Sequence, residues 1–104
     1  MANAKNIFKR QFTYIKNIQD AEKVYYNLYE TNSGSNTTYG IEIISEKNHA
    51  LEETSLKQIS ESKNFIVNIL TYLYENAVKP EHALGIINDL INEDFLRLIS
   101  EKTE

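Results

Sequence analysis

Residues 60–91 read SESKNFIVNILTYLYENAVKPEHALGIINDLI, a stretch that predicts two amphipathic helices joined by a short linker. At about 100° per residue, the apolar side chains of the first helix fall within an arc of roughly 160°. Ser60 or Ser62 can accept a hydrogen bond from an N–H group of its first turn. The apolar side of this helix consists of Phe65, Ile66, Ile69, Leu70, Tyr72, Leu73 and Ala77.

Pro80 predicts the start of the second helix, because proline fixes φ near the value that the first helical position requires. Lys79 would then be the N-cap residue, and Glu81 would lie at the positive end of the helix dipole. The apolar side of this second helix consists of Ala83, Leu84, Ile86, Ile87, Leu90 and Ile91. The two helices therefore form a predicted hairpin with a continuous apolar side.

Before Ser60, apolar residues alternate with polar ones, which is the pattern of strands with one buried face. The predicted strands are residues 8–16, 24–29 and 39–44, and the more polar residues 51–59 form an edge strand or a connector. Residues 31–37, rich in turn formers, predict a hairpin loop. The sequence thus predicts an α+β fold: an antiparallel meander of three to four strands at about residues 7–59, covered on one face by the helical hairpin at about 61–91.

The segment after Ile91 predicts a short third helix, since an asparagine and two acidic residues suit its cap and first turn. Continuing the second helix would place Leu96 about 180° from Ile87, on the polar side. Four apolar residues are crowded here, and we expect them to form a contact surface. Either the chain folds back over them or a second copy covers them in a symmetric homodimer. They are Phe95, Leu96, Leu98 and Ile99.

Length and composition predict one globular domain that spans residues 1–104, with 41% hydrophobic and 25% charged residues. The chain contains no cysteine, which excludes disulfides, thiolate metal sites and a cysteine nucleophile. It offers no N-terminal apolar leader and no apolar stretch of membrane-spanning length. These features predict a cytoplasmic protein without membrane contact, and nothing in the sequence implies a cofactor.

The net charge of −4 is distributed unevenly along the chain. The first 19 residues carry four basic side chains and no acid, which leaves −8 for the remaining 85 residues. The basic first strand makes nucleic-acid binding an alternative function, although the acidic remainder of the chain would repel nucleic acid. The candidate residues for that alternative are Lys5, Lys9, Arg10 and Lys16.

Two histidines are the candidates for catalysis or metal binding. His82 falls in the first turn of the second helix, where it could act as a general base in a small enzyme. The simpler interpretation is a neutral ring that packs against the hairpin and braces the helix entry, because the helix dipole disfavours imidazolium there. His49 lies near several glutamates, but their spacing matches no known metal loop. No complete set of nucleophile, base and orienting residue is present, so we expect no catalytic activity.

Tyrosines are concentrated in the second and third strands. Tyr26 and Tyr39 share the predicted inward set, whereas Tyr25 and Tyr29 lie on the opposite face. If nothing covers that face, Tyr25 and Tyr29 form a second candidate contact patch for a partner.

Four segments of the chain stand out together: Tyr39-Gly-Ile-Glu-Ile43, Ile59-Ser60, the segment from Leu73 to His82, and Ile86-Ile-Asn-Asp-Leu90. In these segments the chain resembles a family of small uncharacterised proteins from clostridia and related Firmicutes. The similarity covers about residues 22–92, and such families often have Thr or Ser before the proline where this chain has Lys79. The resemblance implies no activity, cofactor or site residue.

The sequence as a whole predicts a small protein–protein interaction or regulatory module. The partner would be another protein or a second copy of the chain. This prediction rests on a strong folding pattern combined with surplus apolar residues at the C-terminal end and on the outer face of the sheet.

Overall fold

A computed structural model describes the backbone of residues 2–18 and 20–103 and the side chains of residues 3–18 and 20–92. The predicted α+β class is confirmed: a four-stranded antiparallel sheet in the order β1-β2-β3-β4 is followed by two helices. The elements are β1 (Ala2–Phe12), β2 (Glu22–Ser33), β3 (Asn36–Lys47), β4 (Ala50–Ser60), α1 (Lys63–Glu75) and α2 (Pro80–Thr103).

Two-residue turns connect the last three strands of the meander. Strands β2 and β3 pair as far as Ser33 and Asn36, so the turn between them has only two residues. Gly34 takes the first of these positions with φ 63°, as a hairpin turn of the II′ kind requires. Between β3 and β4, Asn48 and His49 have φ values of 52° and 65°, the left-handed pair that a type I′ turn requires.

The core lies between the sheet and the helices. We call the side of the sheet that faces the helices the inner face and the opposite side the outer face. Residues at every second strand position supply the inner face, and one stripe of each helix covers them. The buried apolar residues are Val24, Tyr26, Leu28, Ile41, Ile43, Ile66, Ile69, Leu70, Leu73, Val78, Ala83 and Ile87.

The first helix begins and ends at well-defined caps. The Ser62 side chain accepts a hydrogen bond from the Phe65 N–H at 3.2 Å, so one of the two predicted serines is the N-cap. At the other end, Ala77 has φ 51°, and its N–H donates to the Tyr74 carbonyl while the Val78 N–H donates to the Leu73 carbonyl. This pair of bonds is the Schellman motif, which satisfies carbonyls that the helix leaves unpaired.

The second helix begins at Pro80, as predicted, and lies mainly over β3 and β4. Its first turn is fixed to the sheet by the Thr54 hydroxyl, which donates to the Pro80 carbonyl at 3.0 Å. The predicted separate third helix is wrong, because α2 continues without a break to Thr103. No proline or glycine follows Gly85, so nothing in the sequence stops the helix after Ile91.

Three sequence-based boundaries and two burial predictions also differ from the structure. β1 starts earlier than predicted and ends at Phe12, and the polar residues of the predicted 31–37 loop mostly continue the ladder between β2 and β3. Residues 51–59, predicted to be an edge strand or a connector, belong to the edge strand β4, which bulges opposite Gly40. Tyr72 and Leu84, at the margins of the two helical stripes, are exposed. A polar sequence can pair in a ladder when the neighbouring strand holds it, which composition alone does not reveal.

The molecule is thin. Its extents are 54 × 35 × 16 Å, and the shortest dimension fits one sheet and one layer of helices. None of the described elements covers the outer face of the sheet. No helix within the described residues has an apolar stretch long enough to cross a membrane.

Candidate functional site

A partly buried ion pair joins the sheet to the start of α2. Glu22, at the beginning of β2, has only 7% of its side chain exposed, and its carboxylate lies 3.0 Å from the Lys79 ammonium. The Ser45 hydroxyl donates a second hydrogen bond to the same carboxylate. Burial alone would raise the pKa of Glu22, but the bonds from Ser45 and Lys79 and the charges of Lys79 and Lys47 together lower it below the usual 4.5.

An open cleft of about 260 Å³ lies beside this ion pair. Its lining combines lysines with glutamates, so it presents no charge of one sign to a ligand. Among the described residues, every buried side-chain nitrogen or oxygen has a hydrogen-bond partner. The Glu22 carboxylate is bonded to both Lys79 and Ser45, and its pairing with Lys79 holds the linker against the sheet. The lining residues are Glu22, Ser45, Lys47, Asn48, Ala50, Glu52, Lys79, Pro80 and Glu81.

The histidines are not brought into a catalytic arrangement within the described residues. The side chain of His82 is 72% exposed and lies 3.7 Å from the carboxylate of Glu81, its neighbour in sequence. The predicted bracing role of His82 is therefore wrong, because its ring points away from the hairpin into solvent. His49 occupies the exposed β3–β4 turn. In the part of the chain that the structure describes, no group of three or more His, Asp or Glu side chains is placed to hold a metal ion.

The four basic residues of the N-terminal segment do not share one surface. Arg10 points inward, where its Nε and a terminal nitrogen donate to the Tyr74 carbonyl at 3.1 and 2.8 Å. Its guanidinium also lies over the Tyr74 ring, with 4.7 Å between the guanidinium carbon and the ring centroid. Lys9 is paired with Tyr25 on the outer face, and Lys5 and Lys16 are exposed elsewhere. Arg10 thus caps α1 and is withdrawn from any external ligand.

The outer face carries a regular set of side chains, because the register of the four strands aligns residues in rows across the sheet. One row consists of Lys9, Tyr25, Ile44 and Glu53. The next row toward the β2–β3 turn consists of Asn6, Asn27, Glu42 and Ser55, and the next row in the other direction consists of Gln11, Lys23, Glu46 and Leu51.

The middle of the outer face is ordered by hydrogen bonds. The Asn6 amide donates to the Asn27 side-chain oxygen at 2.9 Å, and the Asn27 amide donates to the Glu42 carboxylate at 3.0 Å. Asn27 is only 8% exposed although no described element covers it, because Tyr25 and Tyr29 flank it on the same strand. The result is a polar stripe held in a fixed geometry between two aromatic rings.

Both outer tyrosines contact lysines. The Lys9 ammonium lies 5.8 Å from the centroid of the Tyr25 ring, and the Lys57 ammonium lies 5.2 Å from that of Tyr29. Tyr25 and Tyr29 are half-buried, so each ring retains an accessible part. Tyr25 also pairs directly with Ile44, and the exposed Leu51 lies on the same face in the next row. The structure therefore brings the two predicted contact tyrosines onto one uncovered, mixed surface.

Residues 8–93 match the model of a family of unknown function, DUF6514. The chain belongs to this family. No curated protein and no solved structure matches the chain. The DUF6514 match includes all of β2, β3, β4 and α1, and with them most of the outer face and the Glu22–Lys79 ion pair.

The other predicted contact residues, Phe95, Leu96, Leu98 and Ile99, lie outside the residues whose side chains are described. Their role in a homodimer stays a prediction. The Glu22–Lys79 pair could not be predicted from the sequence, because 57 positions separate its members. The rows of the outer face could not be predicted either, because they depend on the strand register.

Proposed function

We propose that this DUF6514 protein acts by binding another protein, without catalysis, and that the outer face of its sheet is the contact surface. The observation that supports this most is the fixed arrangement of Tyr25, Asn27 and Tyr29 on a face that no described element covers. Tyrosine is enriched at protein interfaces, since it supplies a large apolar area together with a polar hydroxyl. A rigid polar stripe between the rings adds directional hydrogen-bonding groups at little entropic cost.

The charge of the outer face favours a protein over a nucleic acid as the partner. Lys9, Lys23 and Lys57 are balanced there by Glu42, Glu46 and Glu53. A nucleic-acid surface needs an excess of basic residues to neutralise phosphates. The engagement of Arg10 with the Tyr74 carbonyl removes a further cation from that alternative.

The enzymatic alternative has less support than binding. His82 is exposed and lies 3.7 Å from the Glu81 carboxylate, and no nucleophile is placed with it among the residues whose side chains are described. For the location of the protein we propose the cytoplasm, because a chain without cysteine is compatible with its reducing environment.

Site-specific photo-cross-linking tests the proposed surface. Benzoylphenylalanine at position 25 should give a discrete protein adduct in cells of the native host, which the sequence resemblance predicts to be a clostridium or a related Firmicute. Tyr72 is a matched control, because it is a partly exposed tyrosine on the helical side. Adducts that are equal at positions 25 and 72, or that nuclease removes, would overturn the proposal.

A further inference from the structure

The outer face is complementary to itself. In the row Lys9, Tyr25, Ile44 and Glu53, a cation stands at one edge of the sheet and an anion at the other, with two apolar residues between them. An interface with two-fold symmetry requires this property, since every residue i that meets residue j is matched by j meeting i.

We propose that two copies of the chain stack their outer faces about a two-fold axis parallel to the strands. This inference rests on the proposed function and names its partner as a second copy. Such an axis places β1 of one copy over β4 of the other and β2 over β3. Lys9 then meets Glu53 of the second copy at both ends of the interface, and Tyr25 packs on Ile44 of the second copy at its centre.

The neighbouring rows give the same result. The axis places Lys23 opposite Glu46 of the second copy and Asn27 opposite Glu42. Lys9 of β1 and Lys23 of β2 therefore each face a glutamate of the second copy, and the Glu42 carboxylate faces the Asn27 amide. A two-fold axis perpendicular to the strands would instead bring β1 over β1 and β3 over β3, with like charges in contact, which is unfavourable.

The size of the face suits a dimer. Four strands spaced about 4.8 Å apart, with about ten paired residues of about 3.3 Å each, present roughly 600 Å². Standard interfaces bury about 800 Å² per partner, and smaller ones belong to weaker complexes. A face of roughly 600 Å² therefore suits a weak to moderate dimer. Stacked sheets pack about 10 Å apart and differ by about 30° in strand direction, which still leaves residues of the same row in reach of one another.

Charge reversal tests the proposed dimer. Lys9 and Glu53 lie on opposite edges of the sheet, so neither reversal breaks a contact between these two residues within one chain. Sedimentation of the purified chain over a range of concentrations should show a dimer. Lys9→Glu and Glu53→Lys should each raise the dimer dissociation constant at least about tenfold, because each replaces two attractive pairs with repulsive ones. The double variant should return the constant to within about threefold of the original value.

Matched controls are Lys63→Glu and Glu75→Lys, reversals at exposed positions of α1 on the other side of the molecule. Both should leave dimerisation unchanged. Circular dichroism should give the same fold for every variant, and added salt should weaken the dimer.

Three outcomes would overturn the inference: a chain that stays monomeric at millimolar concentration, a dimer insensitive to both reversals, or single-variant losses that the double variant does not restore. A monomer that is still cross-linked through position 25 to a different protein would remove the self-association and leave the proposed function standing. A dimer insensitive to the reversals would point to the C-terminal cluster that contains Leu96.

Discussion

The two faces of β2 differ in how they use similar residues. Val24, Tyr26 and Leu28 face the helices and are buried, whereas Tyr25 and Tyr29, from the same strand, face outward and are half-buried. The Tyr26 hydroxyl donates to the Val78 carbonyl at 2.8 Å, which joins the sheet to the helix linker. The outer tyrosines instead contact the side chains of Lys9 and Lys57. Tyrosine therefore stabilises the fold on one face and remains available to a partner on the other.

The substitution with the largest expected effect on stability lies on the outer face, and so departs from the difference between the two faces. Gly40 belongs to the outer set, but β4 bulges toward it, and a Cβ atom there would lie 2.1 Å from the Leu56 carbonyl oxygen. Gly40→Ala should lower the free energy of unfolding by more than about 3 kcal/mol, since backbone atoms must move. Gly85→Ala, where a Cβ meets nothing within 4 Å, should instead stabilise by up to about 1 kcal/mol. Urea unfolding measures both, and equal effects would contradict the close approach.

Adjacent isoleucines in β3 give the cleanest test of the two faces. Ile43 is fully buried on the inner face, and Ile44 is half-buried on the outer face. Ile43→Ala should cost about 2–5 kcal/mol because it leaves a cavity in the core. Ile44→Ala should cost the monomer about 1 kcal/mol or less. Urea midpoints recorded on dilute protein would show the difference, and a costlier Ile44→Ala would mean that something covers the outer face within one chain.

Substitution of the adjacent residues Tyr25 and Tyr26 measures how much a single hydrogen bond contributes to stability. Tyr26→Phe removes the donor to the buried Val78 carbonyl and should cost about 1–3 kcal/mol. Tyr25→Phe should change stability by less than about 0.5 kcal/mol, because its environment is partly solvated. Thermal unfolding of both variants is sufficient, and an equal loss would show that the outer hydroxyl is also required for folding.

The buried hydroxyl of Tyr26 also predicts that the fold loses stability at alkaline pH. Burial, with smaller contributions from Glu22 and Tyr74, raises the pKa of Tyr26 to about 12 against the opposing effect of Arg10. A raised pKa means that the folded state retains the proton longer than the unfolded state. The stabilisation from this group is complete below pH 10 and is lost as the pH rises toward 12, and Tyr26→Phe should remove that dependence.

The smallest expected effect concerns the ion pair between the buried Glu22 and the partly exposed Lys79. Because the pKa of Glu22 is lowered in the folded state, its contribution is present above pH 4.5 and is lost as the pH falls through the folded value. Glu22→Gln should cost about 1–2 kcal/mol at pH 7 and less at pH 3. Glu75→Gln, a substitution at an exposed position of α1, is the control and should leave the free energy of unfolding unchanged at both pH values. A pH-independent loss for Glu22→Gln would contradict the charge assignment.

The sequence predicted what depends on local pattern. Ser62, one of the two serines predicted as caps, precedes α1, and Pro80 begins α2 as expected. Ile66, Ile69 and Ile87 are buried as the helical period required. It failed where the outcome depends on distant parts of the chain. His82 was expected to pack, yet its ring is exposed.

The candidate site residues show the same difference between features that depend on local pattern and features that depend on distant parts of the chain. Tyr25 and Tyr29 were assigned to the outer face from period-two alternation alone, and the structure has them there. Arg10 was grouped with external cations because its sequence neighbours are basic, but the bulge after Asn6 and the pairing with Val24 direct it inward to Tyr74. A register that slips by one residue exchanges the two faces, so no sequence pattern fixes such a contact without the register.

The bond from Arg10 to the Tyr74 carbonyl also has a kinetic consequence, since it joins residues 64 positions apart. Closing so long a loop costs more entropy than forming the two-residue turns of the meander. We therefore expect the hairpins to form early and this contact to form after the rate-limiting step. Arg10→Met should accelerate unfolding and leave the refolding rate nearly unchanged in stopped-flow measurements. The side chain that caps α1 would then determine how long the folded molecule lasts and have little influence on how fast it forms.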